Sequence, residues 1–205
     1  MQHSLLKFAF LTLLATMSLT GCKSSKKSSD TNTSADVNGK ILSPTEQKVN
    51  GLLDQEMATL KTTLKSAEIS RIDAKSLRVR LDPDVYFAWD SDKLSDVAQE
   101  SIKELAFVLN KYPLSNIIVE GHADSTGTEK YNKTLSLNRA AQVINFLAIN
   151  SVAIKRMSAK WYGDKRPIAS NATVEGRRRN RRIDAIITAS KEQFRQFELE
   201  EKAKK

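Results

Sequence analysis

Asn116-Ile117-Ile118-Val119-Glu120-Gly121-His122-Ala123-Asp124-Ser125-Thr126-Gly127 is the stretch from which the fold of this chain can be read. Its first five residues are an apolar, β-branched run of the kind that forms a buried strand. Gly121 to Gly127 then forms a glycine-bounded turn carrying an acid. The spacing of Leu135, Ala140, Val143, Ile144 and Leu147 predicts a long helix from about Thr128 to Ala148. Arg139 lies on that helix, fifteen positions beyond Asp124. A carboxylate on a turn and a guanidinium on the next helix can hold a small zwitterion. The acid takes an ammonium, and the planar fork takes a carboxylate through two parallel hydrogen bonds.

Upstream, Leu77-Arg78-Val79-Arg80-Leu81 alternates with period two and reads as a strand. Pro83 breaks it, and Val85-Tyr86-Phe87 resumes an extended apolar run. A helix is predicted from Ser91 to Asn110, with Leu94, Val97, Ala98, Ile102, Leu105, Ala106 and Leu109 facing inward and Tyr112-Pro113 ending it. Downstream, Ile154 to Lys160 and Ile183 to Thr188 read as strands. Strand–helix–strand–helix–strand after a hairpin gives an α/β (α+β) two-layer sandwich over residues 77–190.

Before that domain, Ser43, Pro44 and Glu46 form a capping-box signature. Val49, Leu52, Leu53, Met57, Leu60 and Leu64 follow at helical spacing, so residues 41–76 read as an amphipathic helix or stalk. Its stripe can pack on its own domain, pair with a second copy, or meet a protein partner. Residues 191–205 are charged and helix-favouring, with Phe194, Phe197 and Leu199, and can pack back or stay loose.

Residues 1–21 have a basic start at Lys7, an apolar core from Phe8 to Leu14, and small residues toward Gly21. This pattern is that of a secretory signal, and the core is shorter than the about 20 apolar residues of a membrane span. Cys22 is the only cysteine, so no internal disulfide is available. It follows Leu19-Thr20-Gly21, a run that resembles the bacterial lipoprotein processing box and implies cleavage before Cys22 and its acylation. Lys23, where an aspartate would signal inner-membrane retention, favours the outer membrane. Residues 22–40 are serine-rich and polar, and read as a flexible lipidated tether. The formal net charge of +9 suits an anionic partner, and an export signal argues against nucleic acid.

From Val85 to Ile187 the chain resembles the OmpA-like carboxy-terminal domain, the peptidoglycan-binding module of Pal-type lipoproteins and flagellar stator proteins. The resemblance rests on Phe87 with Asp90 and Leu94, on G-H-A-D-S-T-G at 121–127, on Tyr131-Asn132, and on L-S-L-N-R-A at 135–140. It continues through Tyr162-Gly163-Asp164, Pro167, Asn171, Thr173, Gly176-Arg177 and N-R-R-I at 180–183. It covers about half the chain and implies a βαβαβ domain with a mixed sheet that grips the diaminopimelate of uncrosslinked stem peptides. Asp124 and Arg139 fall on the family's gripping acid and arginine; Phe87, Thr128, Asn132 and Leu135 fall on positions lining the same groove. Arg181 or Arg182 is expected to buttress the groove or lie near the ligand, with the other arginines of 177–182 a solvated basic patch. Many relatives carry an aspartate directly after the phenylalanine. Ala88 and Trp89 stand there instead, which suggests an altered peptide preference.

His122 reads as a strand-end histidine hydrogen-bonded beneath the turn. No cluster of ligating residues suggests a metal, no motif suggests a cofactor, and no nucleophile–base arrangement suggests an enzyme. The resulting expectation is a non-enzymatic lipoprotein, anchored in the outer membrane through Cys22, whose periplasmic domain binds peptidoglycan. The alternative is a wall-anchoring subunit of a motor, secretion or signalling complex that meets its partner through 41–76.

Overall fold

The computed structural model describes residues 35, 39–81, 86–87 and 90–204. The signal-like segment 1–21, Cys22, most of the 22–40 tether, Val85, Ala88 and Trp89 lie outside the described residues.

Five strands form one mixed sheet: β1 (Glu68–Asp73), β2 (Ser76–Leu81), β3 (Ser115–His122), β4 (Met157–Gly163) and β5 (Arg182–Ala189), in the order β1-β2-β5-β3-β4. Only β3 and β4 run parallel, and the other neighbours are antiparallel. Alternation decides the two faces. Leu77, Val79, Leu81, Ile117, Val119, Ile183, Ala185 and Ile187 enter one core with the helices. The opposite face carries Arg78, Arg80, Glu120, His122 and Asp184, so the molecule has two layers as the sequence implies.

The helices are α1 (Pro44–Thr63), α2 (Asp96–Lys111), α3 (Glu129–Ile149), α4 (Val174–Asn180) and α5 (Lys191–Ala203). The predicted capping box of α1 is present: the Glu46 amide donates to Ser43 Oγ and the Ser43 amide to Glu46 Oε2. Val49, Leu53, Leu60 and Leu64 are buried in the core. α5 packs on α1, with Phe194 and Phe197 against the core and Lys48 2.6 Å from Glu201. The stripe of α1 is thus used within the chain, and its outward side is polar.

Several boundaries differ from the sequence reading. β1 lies inside 41–76, so the folded domain begins well before residue 77. Of the run read as extended at Val85-Tyr86-Phe87, the described residues add no strand to the sheet: Tyr86 is helical and Phe87 only bridges Leu94. That bridge delays α2, whose cap is Ser95 and not Ser91. Val97 is 56% exposed, not inward, because the face that α2 buries is the one carrying Ala98, Ile102, Leu105 and Leu109. Ile154–Arg156 is a 3-10 turn, so β4 starts at Met157. Residues 191–203 pack as α5.

Glu56 sits on the core side of α1 and accepts from Ser115 Oγ at 2.7 Å, while its Oε1 has no hydrogen-bond partner. Burial pushes this carboxyl up to about 7, against the Ser115 hydrogen bond and the Arg156 charge, which pull it down. Its folded value lies above its unfolded one. The contribution of Glu56 is therefore fully present below its unfolded value and is lost as pH rises through about 7. Glu56→Gln is expected to remove most of that loss, on the order of 3 kcal/mol. Thermal melts at pH 5 and pH 8 check this: wild type should melt several degrees lower at pH 8 and the variant nearly equally at both.

Candidate functional site

The site lies at the carboxyl end of β3. Gly121 faces α3 so closely that a Cβ there would sit 2.0 Å from the Ser136 carbonyl oxygen. That approach carries α3 directly against the turn that follows. Thr128 caps α3, its Oγ accepting from the Tyr131 amide at 3.2 Å. Gly127 precedes it at φ +85°, a conformation that glycine adopts without strain. Asn132 is buried and donates to the Asp124 carbonyl at 3.0 Å, fixing the turn to the helix.

Asp124 is 4% exposed. Its Oδ1 accepts from the Thr126 amide at 2.8 Å and from the Thr126 hydroxyl. Its Oδ2 accepts from Arg181 at 2.9 Å. Burial alone would raise this carboxyl, but the Thr126 hydrogen bonds and Arg181 more than offset it and hold it below the ordinary aspartate value. The group is a carboxylate at neutral pH.

Arg139, 6% exposed, lies about two turns along α3 from Asn132. Its Nε donates to the Ser91 carbonyl at 2.9 Å, and its guanidinium lies 5.0 Å from the centre of the Phe87 ring. Asp90, at φ +55°, makes the turn that presents Ser91 and accepts from the Tyr131 hydroxyl. A cation and an anion, both largely buried, are therefore held on adjoining elements, each by contacts that fix its direction. Leu135 is half-buried on α3.

The two arginines read together in the sequence go to different acids. Arg181 pairs with Asp124, whereas Arg182 is buried on Asp184, its Nε 3.1 Å from Oδ2. Arg182 is therefore part of the ion cluster on the polar face of the sheet. His122 stacks on Tyr162 with ring centroids 5.2 Å apart, and neither ring nitrogen makes a hydrogen bond, contrary to the sequence expectation. Burial, then the Arg182 charge, push it down to about 3, so it is neutral.

Sequence reasoning missed the supports of the site. Asn171 Oδ1 accepts from the Ser125 amide at 3.3 Å and from Asn180 Nδ2 at 2.8 Å. Asn180, fully buried, also accepts from the Ile168 and Ala169 amides, pinning the 168–171 loop beside the turn. Both asparagines stand among the residues that carry the resemblance in sequence, but no spacing along the chain assigns them this role.

Residues 86–181 match the model of the OmpA family. The chain is 42% identical over 113 residues to outer membrane porin F of Pseudomonas aeruginosa, covering 54% of this chain and 32% of the porin. It is 40% identical over 85 residues to the peptidoglycan-associated lipoprotein of Brucella melitensis, covering 42% of this chain and 51% of that protein. Its fold is similar to that of the cell wall anchor of the T6SS from Pseudomonas aeruginosa, with a TM-score of 0.58 and 28% identity over 67% of this chain and 97% of that one. The match thus spans about a third of the porin and half of the lipoprotein.

Proposed function

Residues 86–181 carry an OmpA family domain, and from that premise we propose that the protein is a non-enzymatic wall binder. It holds peptidoglycan through the diaminopimelate of stem peptides and ties the outer membrane to the wall through a lipid on Cys22. The observation that supports this best is the ionised, largely buried Asp124 beside an α3 that carries the buried Arg139 over Phe87. The free end of diaminopimelate bears an ammonium and a carboxylate on one carbon. Asp124 pairs the first, sharing its charge with Arg181, and Arg139 takes the second, with Phe87 beneath the guanidinium. The names of the lipoprotein and wall-anchor relatives agree with a wall ligand.

The topology suits a tether. Lys40 and Lys75 both meet Glu46 at 3.1 Å, so the chain enters α1 at the β1–β2 turn. Asp124 follows the end of β3 that pairs with Arg182, at the opposite end of the sheet. β3, eight residues long, spans about 26 Å between those two ends. One amino-acid head held by two ion pairs gives a dissociation constant of roughly millimolar to micromolar. A wall that repeats its peptide and an anchor that confines the domain make such a site sufficient.

Asp124→Asn and Arg139→Ala are each expected to reduce co-sedimentation with isolated sacculi by roughly tenfold or more, with circular dichroism unchanged. If both variants pellet like wild type, the diaminopimelate site is wrong. Cys22→Ser should move the protein out of the membrane fraction while leaving binding to sacculi intact.

A further inference from the structure

Arginines from the end of α4, the start of β5 and the end of β2 surround a second opening. A cavity of about 250 Å³ is walled by Arg80, Arg178, Arg179, Arg181 and Arg182, with Glu68 as the carboxylate among its lining residues. Glu68 is exposed and already lies 3.1 Å from Arg80. Asp184, behind the wall, is shared by Arg80 at 3.0 Å, Arg182 at 3.1 Å and Arg78 at 3.8 Å. Arg179 has no ion-pair partner among the described residues. Burial first, and then the Arg80 and Arg78 charges, push the Arg182 guanidinium down against the pull of Asp184. Glu68 in the wall and Asp184, Asp124 and Glu175 (3.7 Å from Arg178) around it offset four of these charges, and the positive excess that remains favours an anion in the hollow.

The cavity adjoins the Asp124 site. Arg181 lines it and also donates to Asp124 at 2.9 Å, so a single guanidinium-bearing side chain joins the two.

We propose that this cavity is a second subsite of the wall-peptide groove, selective for a carboxylate on the residue that precedes diaminopimelate. The inference rests on the wall-binding reading above. In a stem peptide that residue is a glutamate joined through its side chain, so its α-carboxylate is free. Guanidinium forks take such a group with paired, charge-assisted hydrogen bonds. Five arginines against one carboxylate give no favourable place to an ammonium and little to a neutral amide. The subsite therefore reads whether the glutamate α-carboxyl is free or amidated, a distinction that the diaminopimelate grip cannot make.

The test is calorimetric titration of the purified full-length protein, solubilised in detergent, with three probes. These are meso-diaminopimelate, the tripeptide L-Ala-γ-D-Glu-meso-diaminopimelate, and the same tripeptide with the glutamate α-carboxyl amidated. Wild type should bind the acid tripeptide roughly tenfold more tightly than the amide. In Arg178→Gln/Arg179→Gln, two exposed positions, that preference should fall to within about twofold, with diaminopimelate alone bound as by wild type and the melting temperature unchanged. Equal binding of acid and amide by wild type, or a preference that survives the double substitution, overturns the subsite while leaving the wall-binding reading standing. Failure of diaminopimelate itself to bind would overturn both.

Discussion

Gly121→Ala is expected to cost about 3–5 kcal/mol and to abolish the sacculus-binding site together with the native packing of α3. The added Cβ would meet the Ser136 carbonyl oxygen at 2.0 Å, its carbon at 2.7 Å and its Cα at 3.1 Å. All three atoms are helix backbone, so no side-chain rotation relieves the clash. α3 must move, and with it the buried Ala140, Val143 and Leu147. Overpacking of this kind is among the few single changes that consume a large share of a domain's total stability. Gly51→Ala is the matching control. Gly51 lies in α1 with nothing within 4 Å of its would-be Cβ, and alanine there should stabilise by about 1 kcal/mol. Urea unfolding of the two variants checks the contrast. A Gly121→Ala protein with a wild-type midpoint would mean that α3 does not sit as close to β3 as described.

Asp184→Ala is expected to be nearly as damaging, by about 3–5 kcal/mol. Asp184 is 3% exposed and lies opposite Arg80 in the β2–β5 register. Its carboxylate is the shared counter-ion of Arg80, Arg182 and, at longer range, Arg78, with His122 Nε2 3.9 Å away. Removing it leaves three guanidinium groups facing one another, with Arg182 buried. The loss is mainly the cost of uncompensated buried charge, not of one attraction. Asp184→Asn keeps the shape and one acceptor oxygen, but it loses the charge and turns the other acceptor into an NH2 donor. It should therefore recover only part of the loss. Denaturant midpoints would show this, and an asparagine variant as stable as wild type would mean that the charge is irrelevant. Added phosphate should raise the melting temperature of Asp184→Ala more than that of wild type, because an external anion then substitutes for the missing one.

The parts of the fold that were legible in the sequence are those specified by neighbours along the chain. Ser43, Pro44 and Glu46 announced α1 because a capping box involves residues only three apart. β2, β3 and β5 were legible because alternation or an unbroken apolar run records which faces are buried. β1 was missed because Glu-Ile-Ser-Arg-Ile-Asp alternates poorly; its register on β2 includes an irregularity between Arg71 and Asp73. The start of α2 was misplaced because the Phe87–Leu94 bridge, a contact across several residues, holds the chain out of the helix until its cap at Ser95. α4 went unread because an arginine-rich heptad has no apolar periodicity; it is held by Asn180 and by Gly176, whose would-be Cβ lies 1.9 Å from the Ser170 carbonyl oxygen.

Read along the chain, a strand, an acidic glycine turn and a helix bearing an arginine follow one another, an order that belongs to a two-layer α/β domain. Local hydrogen bonding and hydrophobic periodicity are short-range, so they survive in a linear reading. Packing in three dimensions places Arg181 on Asp124 and Arg182 on Asp184, leaves His122 neutral against Tyr162, and brings five arginines to the wall of one hollow. Charge pairing depends on strand register and on how closely two backbones approach. Those are set by packing between segments more than a hundred residues apart, such as Arg80 and Asp184.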